Sequence, residues 1–398
     1  MRTKDDLRML QALPLELKIQ LTKRRIVDWV SHWGTDGVYV SFSGGKDSTV
    51  LLHMVRELFP NVEAVFVNTG LEYPEIQQFV KSFDNVTILR PKMRFTEVIK
   101  TYGYPVISKH VSRIVECARA NIADKKYSLR LAQLGVKETE YGGLQNSGKY
   151  DYKGSTDNSK FTAKKYRPLI DTDIKISAKC CDVMKKAPIK EYEQRTGKKP
   201  ILATMASESL LREANWLKSG CNAFEGDRPK SAPMSFWTDQ DVLHYLKTHM
   251  QKKLDDAWRD ASSPYRTKRK LARKFLRNLN YRKHMYASVY GEIVEETQVK
   301  YDGISVVIQT QLFGTGSKLM TTGCDRTGCI FCAFGCHLEK ELTRFQMLKL
   351  THPRQYQYCI GGGEYDENGV WKPNKQGLGM GHVFDELNKI YGDGFIKY

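Results

Sequence analysis

Short apolar runs alternate along the chain with stretches whose apolar positions recur at helical spacing. The runs are Val38-Tyr39-Val40-Ser41-Phe42, Ala64-Val65-Phe66-Val67, Val86-Thr87-Ile88-Leu89 and Pro200-Ile201-Leu202-Ala203-Thr204. Such runs suit strands of a parallel sheet, and the first, Val38 to Phe42, suits a central strand buried on both faces. Val50, Leu51, Leu52, Met54 and Val55 predict a helix after the first run, capped by Ser48 or Thr49. A second helix is predicted at 74–83, opening at Pro74. Strands alternating with helices predict an α/β fold, a twisted parallel sheet with helices on both faces.

The remaining segments extend this pattern. Residues 1–34 read as a helical lead-in that Pro14 divides in two. Residues 105–135 carry helical spacing, and Thr238 with Asp241 forms the start signal of another helix. Further helices are expected at 338–350 and 383–391, short β elements at 287–322, and a loop at Gly361-Gly362-Gly363. The expected organisation is a lead-in (1–34), an α/β nucleotide-binding domain (35–245), a basic helical insertion (246–290) and a mixed cysteine-containing region (291–398). Within the second of these, the Gly/Ser/Asn-rich stretch 137–165 is a candidate flexible insertion or lid.

The first strand runs into Ser43-Gly44-Gly45-Lys46-Asp47-Ser48. Two glycines let the backbone approach a ligand closely, and a helix N-terminus offers N–H groups and a positive dipole end to phosphate. Lys46 adds a point charge, and Asp47 can hold Mg2+. Ligands of parallel sheets sit at the carboxyl ends of strands, so Ser41 and Thr49 beside this loop, and Asn68, Thr69 and Gly70 after the second strand, are candidate lining residues. The six-residue loop resembles the PP-loop of the ATP pyrophosphatase superfamily. That resemblance implies an adenine nucleotide alpha hydrolase-like fold and ATP cleaved between its α and β phosphates. Phe66-Val67-Asn68-Thr69-Gly70-Leu71-Glu72-Tyr73-Pro74 resembles a strand-end segment of sulfonucleotide reductases, with Asn68 where those enzymes usually have Asp.

Composition adds a partner class. Of 398 residues 41% are hydrophobic, enough for a full core, and the formal charge is +18. Such a charge fits either a nucleic-acid partner or an ordinary basic surface. Arg266, Lys268, Arg269, Lys270, Arg273, Lys274 and Arg277 surround Leu271, Phe275 and Leu279 at helical spacing. This basic amphipathic helix is a candidate RNA or DNA contact, or else a solvated face. No apolar run approaches a membrane span, and no apolar signal follows Met1, so a cytoplasmic protein without a membrane partner is expected.

Nine cysteines, an odd number, argue against a disulfide framework. Cys324, Cys329, Cys332 and Cys336 lie within thirteen residues, a spacing that suits zinc or an iron–sulfur cluster equally. The adjacent pair Cys180-Cys181 is awkward around one zinc and can reach different corners of a cluster. Cys180-Cys181-x2-Met184-Lys185-Lys186-x-Pro188, followed far downstream by Cys-x2-Cys, resembles the 4Fe-4S site of bacterial adenylylsulfate reductases. By that resemblance Cys180, Cys181, Cys329 and Cys332 are ligands, with Cys324, Cys336 and Cys221 as candidate substitutes or sulfur carriers.

Glu208-Ser209-x2-Arg212 resembles the end of a nucleotide-binding motif of these reductases, with Ala203 and Met205 in place of its leading Gly and Arg. The segment Gly392–Tyr398 has no cysteine where the reductases carry their nucleophile, and Cys359 is the nearest substitute. These features imply a member of the PAPS reductase-like branch of the superfamily. The leading expectation is an ATP-dependent enzyme that adenylates a nucleic acid or nucleotide for iron–sulfur-dependent sulfur transfer, fed by a sulfur donor protein. Its expected catalytic groups are Lys46 and Asp47. The alternatives are a sulfonucleotide reductase using Cys359 and a non-catalytic nucleotide- and nucleic-acid-binding protein with a structural metal.

Overall fold

The structure, a computed structural model, describes residues 2–146, 162–250, 289–290, 293–295, 298–302, 305–309, 318–321, 323–324, 327–339 and 342–398. Most of the candidate insertion at 137–165 and all seven cations of the basic helix lie outside these residues. The chain divides into two compact units. One comprises Met1–Asn68, Glu72–Leu89 and Lys190–Thr327; the other comprises Thr69–Leu71, Arg90–Ile189 and Gly328–Tyr398.

The first unit is built on a six-stranded sheet. Its strands are β1 (Val38–Ser41), β2 (Glu63–Val67), β3 (Val86–Leu89), β4 (Lys199–Ile201), β5 (Asn222–Ala223) and β6 (Lys230–Ser231). They lie in the order β3-β2-β1-β4-β6-β5. All neighbours are parallel except the pair β5 and β6. β1 is central, flanked by β2 and β4, and Val38, Tyr39 and Val40 are fully buried. Burial on both faces explains why these three successive residues are all large and hydrophobic. This is the α/β architecture expected from the strand–helix alternation.

The lead-in forms two helices, α1 (Lys4–Ala12) and α2 (Leu15–Trp33), and Pro14 stands at the N-cap of the second. Ile19, Ile26, Trp29 and Val30 of α2 join the sheet's core. The helix after β1, α3 (Lys46–Leu58), buries Val50, Leu51, Leu52, Met54 and Val55 in the same core. It starts three residues earlier than Ser48 as cap would allow. Gly45 is its N-cap and no side chain caps it. The Ser48 and Thr49 hydroxyls instead donate to the Gly45 carbonyl, at 3.0 and 2.9 Å, inside the first turn. Helix α4 (Pro74–Lys81) opens with the expected proline.

In the second unit, α5 (Phe95–Tyr102), α6 (Lys109–Ala123) and α7 (Leu129–Gln133) are joined by three later helices, Arg344–Thr351, Pro353–Ile360 and Met380–Tyr391. The single helix expected over 338–350 is in fact a 3-10 turn at Cys336–Leu338 followed by Arg344–Thr351. Phe345 and Phe384, both fully buried, meet with ring centroids 4.8 Å apart. The Arg119 guanidinium donates to the carbonyls of Leu169, Ile170, Thr172 and Ile174, which fixes the chain leading to Cys180.

Candidate functional site

The loop after β1 is held in a shape only its own residues allow. Gly44 has φ +75°, and a Cβ there would lie 2.8 Å from methyl groups of both Ile76 and Val80 on α4. Glycine is required for the dihedral and for the contact. The loop is cross-braced by Ser43: its N–H donates to Ser48 Oγ (3.2 Å), and its own Oγ accepts from the Gly45 N–H (3.3 Å). The turn therefore presents the start of α3 with its first N–H groups outside the intrahelical ladder.

Lys46 is the first residue of α3 and is only 3% exposed. Its Nζ lies 2.8 Å from Asp239 Oδ1 and 4.0 Å from Asp47 Oδ1. Its backbone N–H donates to the Tyr290 hydroxyl oxygen at 3.1 Å. Tyr290 in turn shares a 2.6 Å hydrogen bond with Thr327 Oγ1. Asp239, Tyr290 and Thr327 were not legible as site residues in the sequence. Asp239 is the first residue of the helix that Thr238 and Asp241 signal, a pattern that says nothing of its charge partner.

The first turn of the Asp239–Tyr245 helix ties this region together. Thr238 caps it reciprocally with Asp241, as the sequence predicts. Asp239 pairs with Lys46, Gln240 bonds both backbone groups of Leu319, and Asp241 pairs with the buried Lys18 of α2. Three successive side chains thus fix one turn to three other segments.

The remaining strand-end candidates have local structural partners. Ser41 ends β1. The Asn68 amide donates to Gln77 Oε1 (3.3 Å), Thr69 Oγ1 accepts from the Leu71 N–H (3.2 Å), and Gly70 has φ +75°. Glu208 accepts from the Met205 N–H at 2.9 Å and is ion-paired with Arg212. Ser209 caps the helix Leu210–Ser219. Met205, standing where the resembled motif has Arg, is 1% exposed.

In the second unit, Cys180, Cys181, Cys329 and Cys332 line one cavity together with Leu71, Phe95, Pro105, Met184 and Lys185. Cys329 and Cys332 sit on a turn closed by the Cys332 N–H donating to the Cys329 carbonyl at 3.0 Å. That turn is anchored by Ile330 N–H to Leu71 O and by Arg344 to the Cys332 carbonyl. Cys180 and Cys181 precede one wide turn of π type, Asp182–Lys186, a distortion that recurs at functional sites. Their sulfurs are 4.0 Å apart. The Cys180 thiol, donating to Cys181, holds the Cys181 thiol down at about 6; burial opposes this, and Lys109 and Lys185 add to it. The partner, Cys180, is pushed up by the same bond and by burial.

The other cysteines have different surroundings. Cys324 belongs to the first unit, with its thiol 3.7 Å from the Tyr73 hydroxyl. Cys336 is buried against the Ala333 carbonyl, and burial pushes its thiol up to about 12. Cys221 is buried and accepts from Ser235 Oγ at 3.3 Å. Cys359, on Pro353–Ile360, has no exposed surface, and burial pushes its thiol up. That is the opposite of the electropositive, accessible setting of a nucleophilic thiolate.

The model of the family described as phosphoadenosine phosphosulfate reductase domain matches residues 37–254, more than half of the chain. The matched span contains the Ser43–Ser48 loop, Cys180-Cys181, Glu208–Arg212 and Asp239; Tyr290, Thr327, Cys329 and Cys332 lie beyond it. An uncharacterized protein of Methanocaldococcus jannaschii is 36% identical over 73 residues, which are 17% of this chain and 18% of that protein. The chain therefore covers well under two thirds of that relative's length.

Proposed function

Because the chain belongs to the phosphoadenosine phosphosulfate reductase domain family, whose members are enzymes, we propose that it works on the phosphates of an adenine nucleotide, and specifically that it cleaves ATP between the α and β phosphates to adenylate an acceptor. The observation that carries this reading is the intact loop at the carboxyl end of the central strand. Gly44 permits the turn, and the buried Lys46 supplies a cation at the first position of α3. An oxygen of the acceptor attacks the α phosphorus, the bond to the β phosphate breaks, and pyrophosphate leaves. N–H groups of the loop and Lys46 stabilise the charge that gathers on the leaving pyrophosphate. Asp47 and Asp239, both within 4.0 Å of Lys46 Nζ, are the carboxylates able to place Mg2+ beside it.

Sulfide then displaces AMP from the adenylated acceptor, so the acceptor's oxygen departs on AMP and sulfur takes its place. The cavity lined by four cysteines suits a thiolate-held metal centre, an iron–sulfur cluster or zinc. Cys180, Cys181, Cys329 and Cys332 would hold the cluster, which when bound supplies sulfur or electrons. A nucleic-acid acceptor is consistent with the formal charge of +18.

The test is a side-by-side assay of anaerobically prepared protein. ATP with candidate RNA or DNA acceptors is expected to give AMP and pyrophosphate. Sulfite release from a sulfonucleotide with an electron donor, with no ATP cleavage, would replace this reading with reduction.

A further inference from the structure

We propose that Tyr290, seated by Thr327, is a further residue of the phosphate site and competes with phosphate for the first N–H of α3. The inference rests on reading Ser43–Ser48 as a phosphate loop. The N–H groups of a helix's first turn have no acceptor within the helix, and no side chain of the loop caps this one. The Tyr290 phenol oxygen, 3.1 Å from the Lys46 nitrogen, takes that place. A helix N-terminus behind a glycine turn is also where phosphoryl oxygens bind. A near-linear N–H bond serves one acceptor well, so a phosphoryl oxygen on the Lys46 N–H takes the position the phenol oxygen holds.

The pair lies directly on the loop. A Cβ at Gly45 would stand 3.0 Å from Thr327 Oγ1 and 3.4 Å from the Tyr290 hydroxyl. Tyr290 is 1% exposed, and burial pushes its hydroxyl up to about 12, so the acceptor on the loop is a neutral oxygen. A phosphoryl oxygen is charged, and charge-assisted bonds are roughly twice as strong as neutral ones. Phosphate therefore wins the exchange, and the phenol leaves the N–H with its partner Thr327. Residues 290 and 327 both lie outside the 37–254 family match. Tyr290 and Thr327 thereby add residues from beyond the family match to the loop.

The test is calorimetric titration of the full chain with magnesium pyrophosphate. Tyr290→Phe keeps the ring and removes the competing oxygen, so it should bind about 2- to 10-fold tighter than the wild type. Thr327→Val, which loosens the seat of the phenol, should shift affinity in the same direction and serves if the first variant does not fold. Hydrogen exchange at Tyr290 should rise on binding while exchange in Ser43–Ser48 falls. Equal or weaker binding by both variants, with a wild type that binds, overturns the competition and leaves the phosphate loop standing. Absence of binding by wild type and variants alike overturns the phosphate reading and the inference together.

Discussion

Lys46 and Lys18 are both almost fully buried lysines paired with an aspartate, yet their removal should have different effects. The partner of Lys46, Asp239, keeps 47% of its side chain exposed, so Lys46→Ala leaves a carboxylate that water can still solvate. Stability should change little, while AMP formation falls by about 100-fold or more, as for loss of a group that stabilises developing charge. The partner of Lys18, Asp241, is only 13% exposed. Lys18→Met should therefore cost about 3 kcal/mol in urea denaturation, the usual cost of leaving a buried charge unpaired. Gly44→Ala should cost about 1–3 kcal/mol and abolish nucleotide binding, since φ +75° and two methyl groups at 2.8 Å both oppose a Cβ. The glycine, the lysine and the loop between strand and helix were legible because they are contiguous. Tyr290 was not, because it reaches Lys46 from 244 residues away and its own neighbourhood carries no motif.

Among the elements, the central strands were legible because burial on both faces makes them continuous apolar runs. β4 is shorter than its run suggests, ending at Ile201. The two-residue strands β5 and β6 leave no periodic trace at all. The start of β2 also carries a polar cluster that no pattern announced. Glu63 accepts from Thr87 on β3, from Tyr192 at 2.6 Å and from Lys198 beside β4. Burial pushes its carboxyl up, but the bonds from Lys198, Thr87 and Tyr192 outweigh this and hold it below the ordinary 4.5. A carboxyl held low in the folded state stabilises above its unfolded value and loses that contribution as pH falls through the folded one. Thermal stability should accordingly decline below about pH 4.5, and Glu63→Gln should flatten that decline while lowering stability at neutral pH.

For the whole molecule, the cysteines separate by environment rather than by spacing. Four line one cavity of the second unit, one stands beside Tyr73 in the first, and Cys359 is sealed in a helix. Protein prepared without oxygen should be brown with about four irons per chain if these four thiolates hold a 4Fe-4S cluster. Cys180→Ser and Cys329→Ser should bleach it, while Cys324→Ser and Cys359→Ser should keep the colour. Cys359→Ser should cost about 1–3 kcal/mol, because it buries a hydroxyl in place of a thiol. Spacing alone grouped Cys324 with Cys329 and Cys332; which thiols share a cavity depended on Leu71 and Ile107 anchoring the Cys329–Gly335 turn. No helix among the described residues is long and apolar enough to cross a membrane.

The central claim is that this loop directs cleavage between the α and β phosphates. ATP labelled in its γ phosphate, incubated anaerobically with Mg2+ and nucleic-acid acceptors, tests it most directly. The account predicts label in pyrophosphate, matched by AMP and lost in Lys46→Ala. Label in orthophosphate, or intact ATP beside sulfite released from a sulfonucleotide, would contradict it.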